Sequence, residues 1–199
     1  MIRCFVAIEL NEAVRTALAE LQRRLRAALE KTTGREAKLQ WVRPESIHAT
    51  IKFLGDVDEG RVEAITQALR QAATLHQAGE VQVGGLGVFP DARKPRVCWI
   101  GLREGAEQVI RLAEAVDLAL APLEFPRESR PYRPHLTLAR IKEGERAVGL
   151  ALEQQGLLAK EQGPVGRLPV HSLALMKSEL HPSGAVYTRL EQITLKDER

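Results

Sequence analysis

Two histidines in the sequence each precede a threonine by two positions, inside segments where apolar and polar residues alternate. His48 precedes Thr50, and His135 precedes Thr137 much further along the chain. Successive side chains of a β-strand point to opposite faces, so each histidine should share a face with its threonine. The apolar residues between them would then face the core. The pattern predicts two strands that each present an imidazole and a hydroxyl on one surface.

Two imidazoles that face one substrate can divide the two halves of acid–base catalysis between them. The unperturbed pKa of histidine is about 6.5, so near neutral pH one ring can accept a proton while the other donates one. Opening a cyclic phosphodiester needs a base for the attacking water and an acid for the departing oxygen. The hydroxyls of Thr50 and Thr137 can donate hydrogen bonds to charged phosphate oxygens. The two histidines and two threonines are therefore predicted catalytic residues, and the motifs alone leave open which histidine is the acid.

Two cations near the motifs are predicted to bind the substrate. Strict alternation would place Lys52 on the face of His48 and would turn Phe53 towards the core. It would likewise place Ala139 on the face of the second histidine. Arg133 stands two positions before that histidine. Each cation could pair with a phosphate oxygen or remain solvated, and the sequence leaves both interpretations open.

The sequence contains none of the familiar motifs that bind a metal or a nucleotide cofactor. There is no His-x-His, HExxH or CxxC pattern, and threonine is a poor ligand for zinc. The glycine-rich segment 84–87 is not followed by the Lys-Ser or Lys-Thr pair that a phosphate-binding loop needs. We therefore expect neither a metal nor another cofactor.

The segments around the motifs predict an alternation of strands and helices. Strands are predicted at residues 3–10, 46–54, 81–88, 96–102, 135–141, 169–176 and 185–195, and helices at 12–31, 58–76, 104–120 and 146–160. Helices interleaved with β-hairpins favour antiparallel or mixed sheets and hence the α+β class. Each motif strand lies about midway through a strand–helix–strand unit. This duplication predicts a single domain over residues 1–199, made of two similar lobes that flank a central cleft, with helices outside.

The composition excludes some classes of protein. The chain has 199 residues, 44% of them hydrophobic, and a formal net charge of +3. No stretch approaches the roughly 18 apolar residues of a membrane span. Cys4 and Cys98 both lie in apolar runs, which is typical of reduced, buried thiols. A monomeric cytoplasmic protein is expected, and the mild positive charge is compatible with binding phosphates without identifying a partner.

These residues resemble the 2H phosphoesterases, in particular the bacterial and archaeal RNA 2′,3′-cyclic phosphodiesterases first described as 2′-5′ RNA ligases. The resemblance covers nearly the whole chain as ordered blocks: RCFVAIEL, WVRPESIHATIKFLG, FPDARKPRVCWIGL, YRPHLTLAR and SELHPSGAVYTRL. Such an ordered set is far more specific than one His-x-Thr motif. Ala49 departs from the larger apolar residue expected at that position, which is on the core face.

The resemblance implies a pseudo-symmetric fold with a V-shaped cleft and a metal-independent reaction. That reaction hydrolyses RNA 2′,3′-cyclic phosphate ends to 2′-phosphomonoesters. His48 would be the proton donor to the ribose O3′ and His135 the proton acceptor from water, while Thr50 and Thr137 bind the phosphate. The implied substrates are RNA or tRNA fragments with such ends and cyclic nucleotides. The reverse reaction would join such an end to a 5′-hydroxyl, giving a 2′-5′ linkage.

Other interpretations stay open at this point. A non-catalytic module that binds RNA ends would keep the cleft for recognition alone, and turnover of a cyclic mononucleotide would separate it from an enzyme. A purely structural interaction protein would make the two equivalent motifs a coincidence. Phe89, Trp41 and Tyr132 are candidates for stacking on a base, or could equally pack at the edge of a lobe.

Overall fold

The computed structural model describes residues 1–181 and 184–196. Within these ranges nine strands form one sheet, and neighbouring strands pair antiparallel. The strands are β1 (Ile2–Glu9), β2 (Lys38–Trp41), β3 (His48–Val57), β4 (Gly79–Phe89), β5 (Val97–Leu102), β6 (His135–Glu143), β7 (Pro164–Val170), β8 (Ser172–His181) and β9 (Gly184–Thr194). Their order across the sheet is β7-β4-β5-β6-β3-β1-β8-β9, and β2 pairs with β6 beside this path.

Helices connect the strands and turn their apolar residues inward. The α-helices of the described ranges are α1 (Glu12–Thr33), α2 (Val62–Ala73), α3 (Ala106–Leu120), α4 (Glu145–Gln154) and α5 (Leu157–Lys160). Helix α1 buries the residues that its spacing predicted, Val14, Leu18, Leu21, Leu25 and Leu29. Its first turn is capped by Asn11, whose side chain accepts a hydrogen bond from the Val14 amide. The α+β class is confirmed, and no described helix is long and apolar enough to cross a membrane.

The two motif strands meet at the middle of the sheet. Outward from β3 lie β1, β8 and β9, and outward from β6 lie β5, β4 and β7. Each motif strand is also reached by the same route, since β1 leads through α1 to β3 and β5 leads through α3 to β6. This order brings the two histidine strands side by side although they are far apart in sequence.

The two faces of the sheet differ in what covers them. The large hydrophobic core includes Val6 and Ile8 of β1 together with the inner residues of the helices. The alternate residues of β1, Phe5 and Ala7, belong to a separate small cluster with Met176 and other residues of the outer strands. We call the side of the sheet that carries this small cluster and the motif histidines the motif face. It lies opposite the helices, as the alternation of side chains requires.

Two predicted elements are divided in the structure. The helix predicted over 146–160 is interrupted at Gly156, whose left-handed φ of 60° separates α4 from α5. The strand predicted over 169–176 is the junction of β7 and β8, which pair at opposite ends of the sheet. In the predicted hairpin at 181–184 the flanking residues pair as expected, and Pro182 and Ser183 lie outside the described residues.

Candidate active site

The register between the motif strands sets the geometry of the site. Strands β3 and β6 pair through Ala49 and Leu136, both fully buried on the core side. Extending this antiparallel register by one residue places each motif histidine across from the threonine of the other strand. The two histidines thus lie on a diagonal, where Cβ atoms are about 7 Å apart. The register therefore places both imidazoles on adjacent strands of one surface.

Both imidazoles are anchored in the same way. The Nδ1 atom of His48 lies 2.9 Å from the carbonyl oxygen of Ser46, and Nδ1 of His135 lies 2.7 Å from that of Arg133. A carbonyl oxygen can only accept, so Nδ1 carries the hydrogen in each ring. The Nε2 atom of each ring is therefore the one that can exchange a proton with a substrate.

Two aromatic rings flank each imidazole. Phe5 stacks on the first imidazole with 4.7 Å between ring centroids, and Tyr187 meets it edge-on at 5.0 Å. Phe89 and Trp99 meet the second imidazole edge-on at 5.2 and 6.1 Å. These rings restrict the orientation of both imidazoles. Sequence reasoning considered Phe89 but did not find Phe5 or Tyr187, which come from β1 and β9.

The charge state of His48 depends on opposing effects. Burial is the largest of them and lowers the pKa of His48 below its ordinary value, and the positive charge of Arg140 acts in the same direction. The hydrogen bond to Ser46 and the carboxylate of Glu9 raise the pKa and only partly offset the burial. In the free protein, the neutral form of His48 is thus favoured.

A bulge in β3 overturns part of the prediction. Ala7 of β1 pairs with Thr50 and the preceding Val6 pairs with Lys52, so β3 has one additional residue at this point. Beyond the bulge the faces are exchanged. Lys52 is only 4% exposed on the core side, while Phe53 is 64% exposed and close to Phe5 on the motif face. The predicted positions of Lys52 beside His48 and of Phe53 in the core are both wrong.

Lys52 instead forms a buried ion pair. Its Nζ atom lies 2.5 Å from Oδ1 of Asp117 in α3 and 2.7 Å from the carbonyl oxygen of Pro126. Asp117 also accepts from the backbone amide of Glu128. Burial alone would raise the pKa of Asp117, but Lys52, this amide and Arg127 outweigh burial and lower it. The ion pair joins β3, α3 and the chain that leads to the second motif.

Replacing Lys52 by Met is expected to destabilise the fold. The change leaves the Asp117 carboxylate with only the exposed Arg127 as a cation, at 3.4 Å, and breaking a buried ion pair typically costs about 3–5 kcal/mol of unfolding free energy. The double variant Lys52→Met/Asp117→Leu should recover most of that loss, because it removes both charges. Urea unfolding of the three proteins measures this. A large rise in KM at unchanged stability would instead show that Lys52 binds the substrate.

A matching bulge in β6 turns an arginine onto the motif face. Trp99 of β5 pairs with Thr137 and its neighbour Cys98 pairs with Ala139, so the extra residue is Leu138. Ala139 is fully buried, which corrects its predicted position beside His135. The exposed Arg140 takes the motif face, and its charge acts on the pKa of His48.

A buried glutamine supports the β6 bulge. The Nε2 atom of Gln22 in α1 donates to the carbonyl oxygens of Leu138, at 2.9 Å, and of Val42, at 2.8 Å. The Val42 amide also donates to the Leu138 carbonyl. Hydrogen bonds from a buried side chain therefore stabilise the backbone that places Arg140 on the motif face. Sequence reasoning missed Arg140 as a site residue. Phe53 and Arg140 follow their motif histidines by the same number of residues in the sequence, and this equal spacing is the signal that links them.

The remaining candidates are placed as follows. The carbonyl of Arg133 anchors the second imidazole, its side chain is exposed, and its role in substrate binding stays a prediction. Tyr132 donates its hydroxyl to the carbonyl of Thr50 at 2.8 Å, so it fastens the chain before β6 to β3. Trp41 packs against the hydrophobic core. Of the three proposed stacking residues, Phe89 is the one beside a motif imidazole.

Other reactive groups lie away from this site. Cys4 and Cys98 are free and buried, and burial raises the pKa of the Cys98 thiol to about 12. Over residues 1–181 and 184–196, no three His, Cys, Asp or Glu side chains come together as a set that could hold a metal ion.

One protein family matches the chain in both of its halves. The family model described as LigT like Phosphoesterase matches the chain twice, over residues 8–99 and 100–187, and each match contains one His-x-Thr motif. The chain therefore belongs to the LigT-like phosphoesterase family.

Individual relatives cover nearly all of the chain. It is 34% identical to the RNA 2′,3′-cyclic phosphodiesterase of Methanothermobacter thermautotrophicus over 194 residues, which is 98% of this chain and 99% of the relative. It is also 34% identical to the enzyme of that name from Aquifex aeolicus, over 78% of this chain and 81% of the relative. The crystal structure of TT0787 of Thermus thermophilus superposes with a TM-score of 0.76 at 31% identity, covering 100% of both chains.

Proposed function

We propose that this protein hydrolyses the 2′,3′-cyclic phosphate ends of RNA to 2′-phosphomonoesters without a metal ion. The observation that carries the proposal is the pair of imidazoles placed diagonally across one face, each with Nδ1 anchored and Nε2 available. The relatives that bear the name RNA 2′,3′-cyclic phosphodiesterase support the choice of substrate.

In the proposed reaction the cyclic phosphate lies between the two Nε2 atoms. His135 accepts a proton from a water molecule as the water oxygen bonds to phosphorus. The bond from phosphorus to O3′ breaks, and the imidazolium of His48 donates its proton to O3′. The product carries a 2′-phosphate and a free 3′-hydroxyl, and proton exchange with solvent restores both rings. General acid–base catalysis of this kind contributes about 10²–10⁴ in rate.

Three side chains are proposed to hold the phosphate during this reaction. The hydroxyls of Thr50 and Thr137 lie on the motif face next to the imidazoles and can donate to the non-bridging oxygens. Arg140 supplies the positive charge that the sequence analysis had assigned to Lys52. A guanidinium can bind two phosphate oxygens at once, which gives both charge and orientation.

The same site would support the reverse reaction if a 5′-hydroxyl of another RNA replaced the attacking water. RNA or tRNA fragments with cyclic phosphate ends are the proposed substrates, and cyclic nucleotides are the smallest models of them. We further propose that the protein acts as a monomer in the cytoplasm, where the free thiols of Cys4 and Cys98 would stay reduced.

Turnover of a 2′,3′-cyclic nucleotide tests the proposal. We expect the 2′-phosphate to be the product by ³¹P NMR, with the same rate before and after treatment with EDTA. Loss of activity on chelation, with recovery on adding a divalent ion, would overturn the metal-independent mechanism. Tight binding of the cyclic end without any turnover would favour the alternative, a module that only binds RNA ends.

The lowered pKa of His48 predicts a particular pH dependence. As the acid, His48 must be protonated, so on the alkaline side of the bell-shaped profile that an acid and a base give together, kcat/KM should fall as pH rises through this lowered pKa. A bound phosphate anion stabilises the imidazolium, so the corresponding fall in kcat should occur at higher pH. Steady-state rates between about pH 5 and 8, the range in which histidines titrate, measure both profiles on a cyclic nucleotide. If kcat and kcat/KM fell at the same pH, the assignment of His48 as the acid would be contradicted.

A further inference from the structure

A cavity of about 650 Å³ opens next to His48. One wall consists of the chain that enters β3, with Ser46, Ile47 and His48 itself. Strands β8 and β9 also line it, with Met176, Val186 and Tyr187 among their residues. Its size lies in the range of about 300–1,000 Å³ that is usual for small-molecule sites.

The position of this cavity matters because one histidine acts on the departing O3′ and the other on the attacking water. The departing O3′ stays attached to the ribose of the terminal nucleotide, whereas water enters from the other side of phosphorus. The nucleoside must therefore lie beside the proton donor. The cavity includes His48 in its wall, and among the described residues its lining does not include His135.

We propose that this cavity binds the terminal ribonucleoside of the RNA, a role that rests on the function proposed above. The base would lie against the apolar and aromatic surface of Met176, Val186 and Tyr187, since every base has a face that can stack. Val186 is 38% exposed, so this surface is open to a ligand.

An arginine of the same cavity is suited to the phosphodiester on the 5′ side of that nucleoside. Arg189 is paired with Glu9 at 2.8 Å, and Arg15 is paired with Glu12 at 2.9 Å. Arg43 contacts the Ala185 carbonyl only at 3.5 Å, the outer limit of a hydrogen bond. Arg43 is the cavity arginine that can most readily turn to a phosphate.

The substitution Val186→Trp tests the nucleoside site, because a large side chain there fills the cavity. We expect kcat/KM for 2′,3′-cyclic AMP, divided by kcat/KM for methyl ribofuranoside 2′,3′-cyclic phosphate, to fall about ten-fold or more. That is the size expected for losing one base-stacking contact. The matched control is Leu180→Trp, on the same hairpin but 75% exposed and outside the cavity lining.

Each outcome of this experiment decides something. An unchanged ratio in Val186→Trp, or an equal fall in the control, would overturn the nucleoside site while leaving the phosphodiesterase intact. Failure of the unaltered protein to open either cyclic phosphate would instead overturn the proposed function.

The substitution Arg43→Gln tests the adjoining phosphodiester contact. The unaltered protein should prefer a dinucleotide with a cyclic phosphate end over the cyclic mononucleotide, and the variant should lose that preference together with its salt dependence. Arg23→Gln removes the same charge from an exposed position on α1 and serves as the control. A preference that persists in Arg43→Gln at low salt would contradict this assignment.

Discussion

Replacing His135 by Ala is expected to lower kcat on 2′,3′-cyclic nucleotides by about 10²–10⁴, the usual contribution of a general base. The same variant should be as defective on an activated diester such as bis(p-nitrophenyl) phosphate. The reason is that water must lose its proton whichever group departs. Substrate binding should be largely retained, because the imidazole forms no ion pair with the ground-state phosphate when it is neutral.

His48→Ala should show a similar loss on the cyclic nucleotide but a much smaller one on the activated diester. A nitrophenolate leaves without a proton, so the acid is no longer needed. His171→Ala is the control, since His171 is exposed between β7 and β8 and lies outside both motif strands. If His135→Ala were the variant rescued, the proposed roles would be reversed. Equal rescue of both would show that the roles are shared.

The second large effect concerns Arg140. Arg140→Gln should reduce kcat/KM on cyclic nucleotides by about 10²–10³, the loss typical of removing one group that stabilises developing charge. Arg140→Lys should recover part of the activity, because it restores the charge but not the planar, two-pronged geometry. The inhibition constant of inorganic phosphate gives an independent measure and should rise in Arg140→Gln.

Lys142→Gln provides the control for net charge. Lys142 is exposed on the same strand, two residues beyond Arg140. An equal effect of both glutamine variants would show that Arg140 acts only through the general positive potential of the surface. A normal phosphate affinity in Arg140→Gln would remove Arg140 from the site.

Much of the site could be predicted from local patterns in the sequence. The spacing of His48 and Thr50, and its repetition at His135 and Thr137, predicts two strands with equivalent functional faces. The structure does place the four residues together on β3 and β6. The inner face of α1 was predicted equally well, since helical periodicity depends only on neighbours within one segment. These predictions needed no knowledge of which strands pair.

What the tertiary structure decided is where that alternation breaks and which distant strands meet. A β-bulge adds one residue and thereby exchanges the two faces for every residue beyond it. Lys52 and Ala139 were therefore predicted on the wrong side, and Phe53 and Arg140 took their places on the motif face. Each bulge has a buried hydrogen-bond partner on another element: Asp117 binds Lys52, and Gln22 binds the Leu138 carbonyl. The aromatic rings around His48 come from β1 and β9, and only the order of strands in the sheet brings them there.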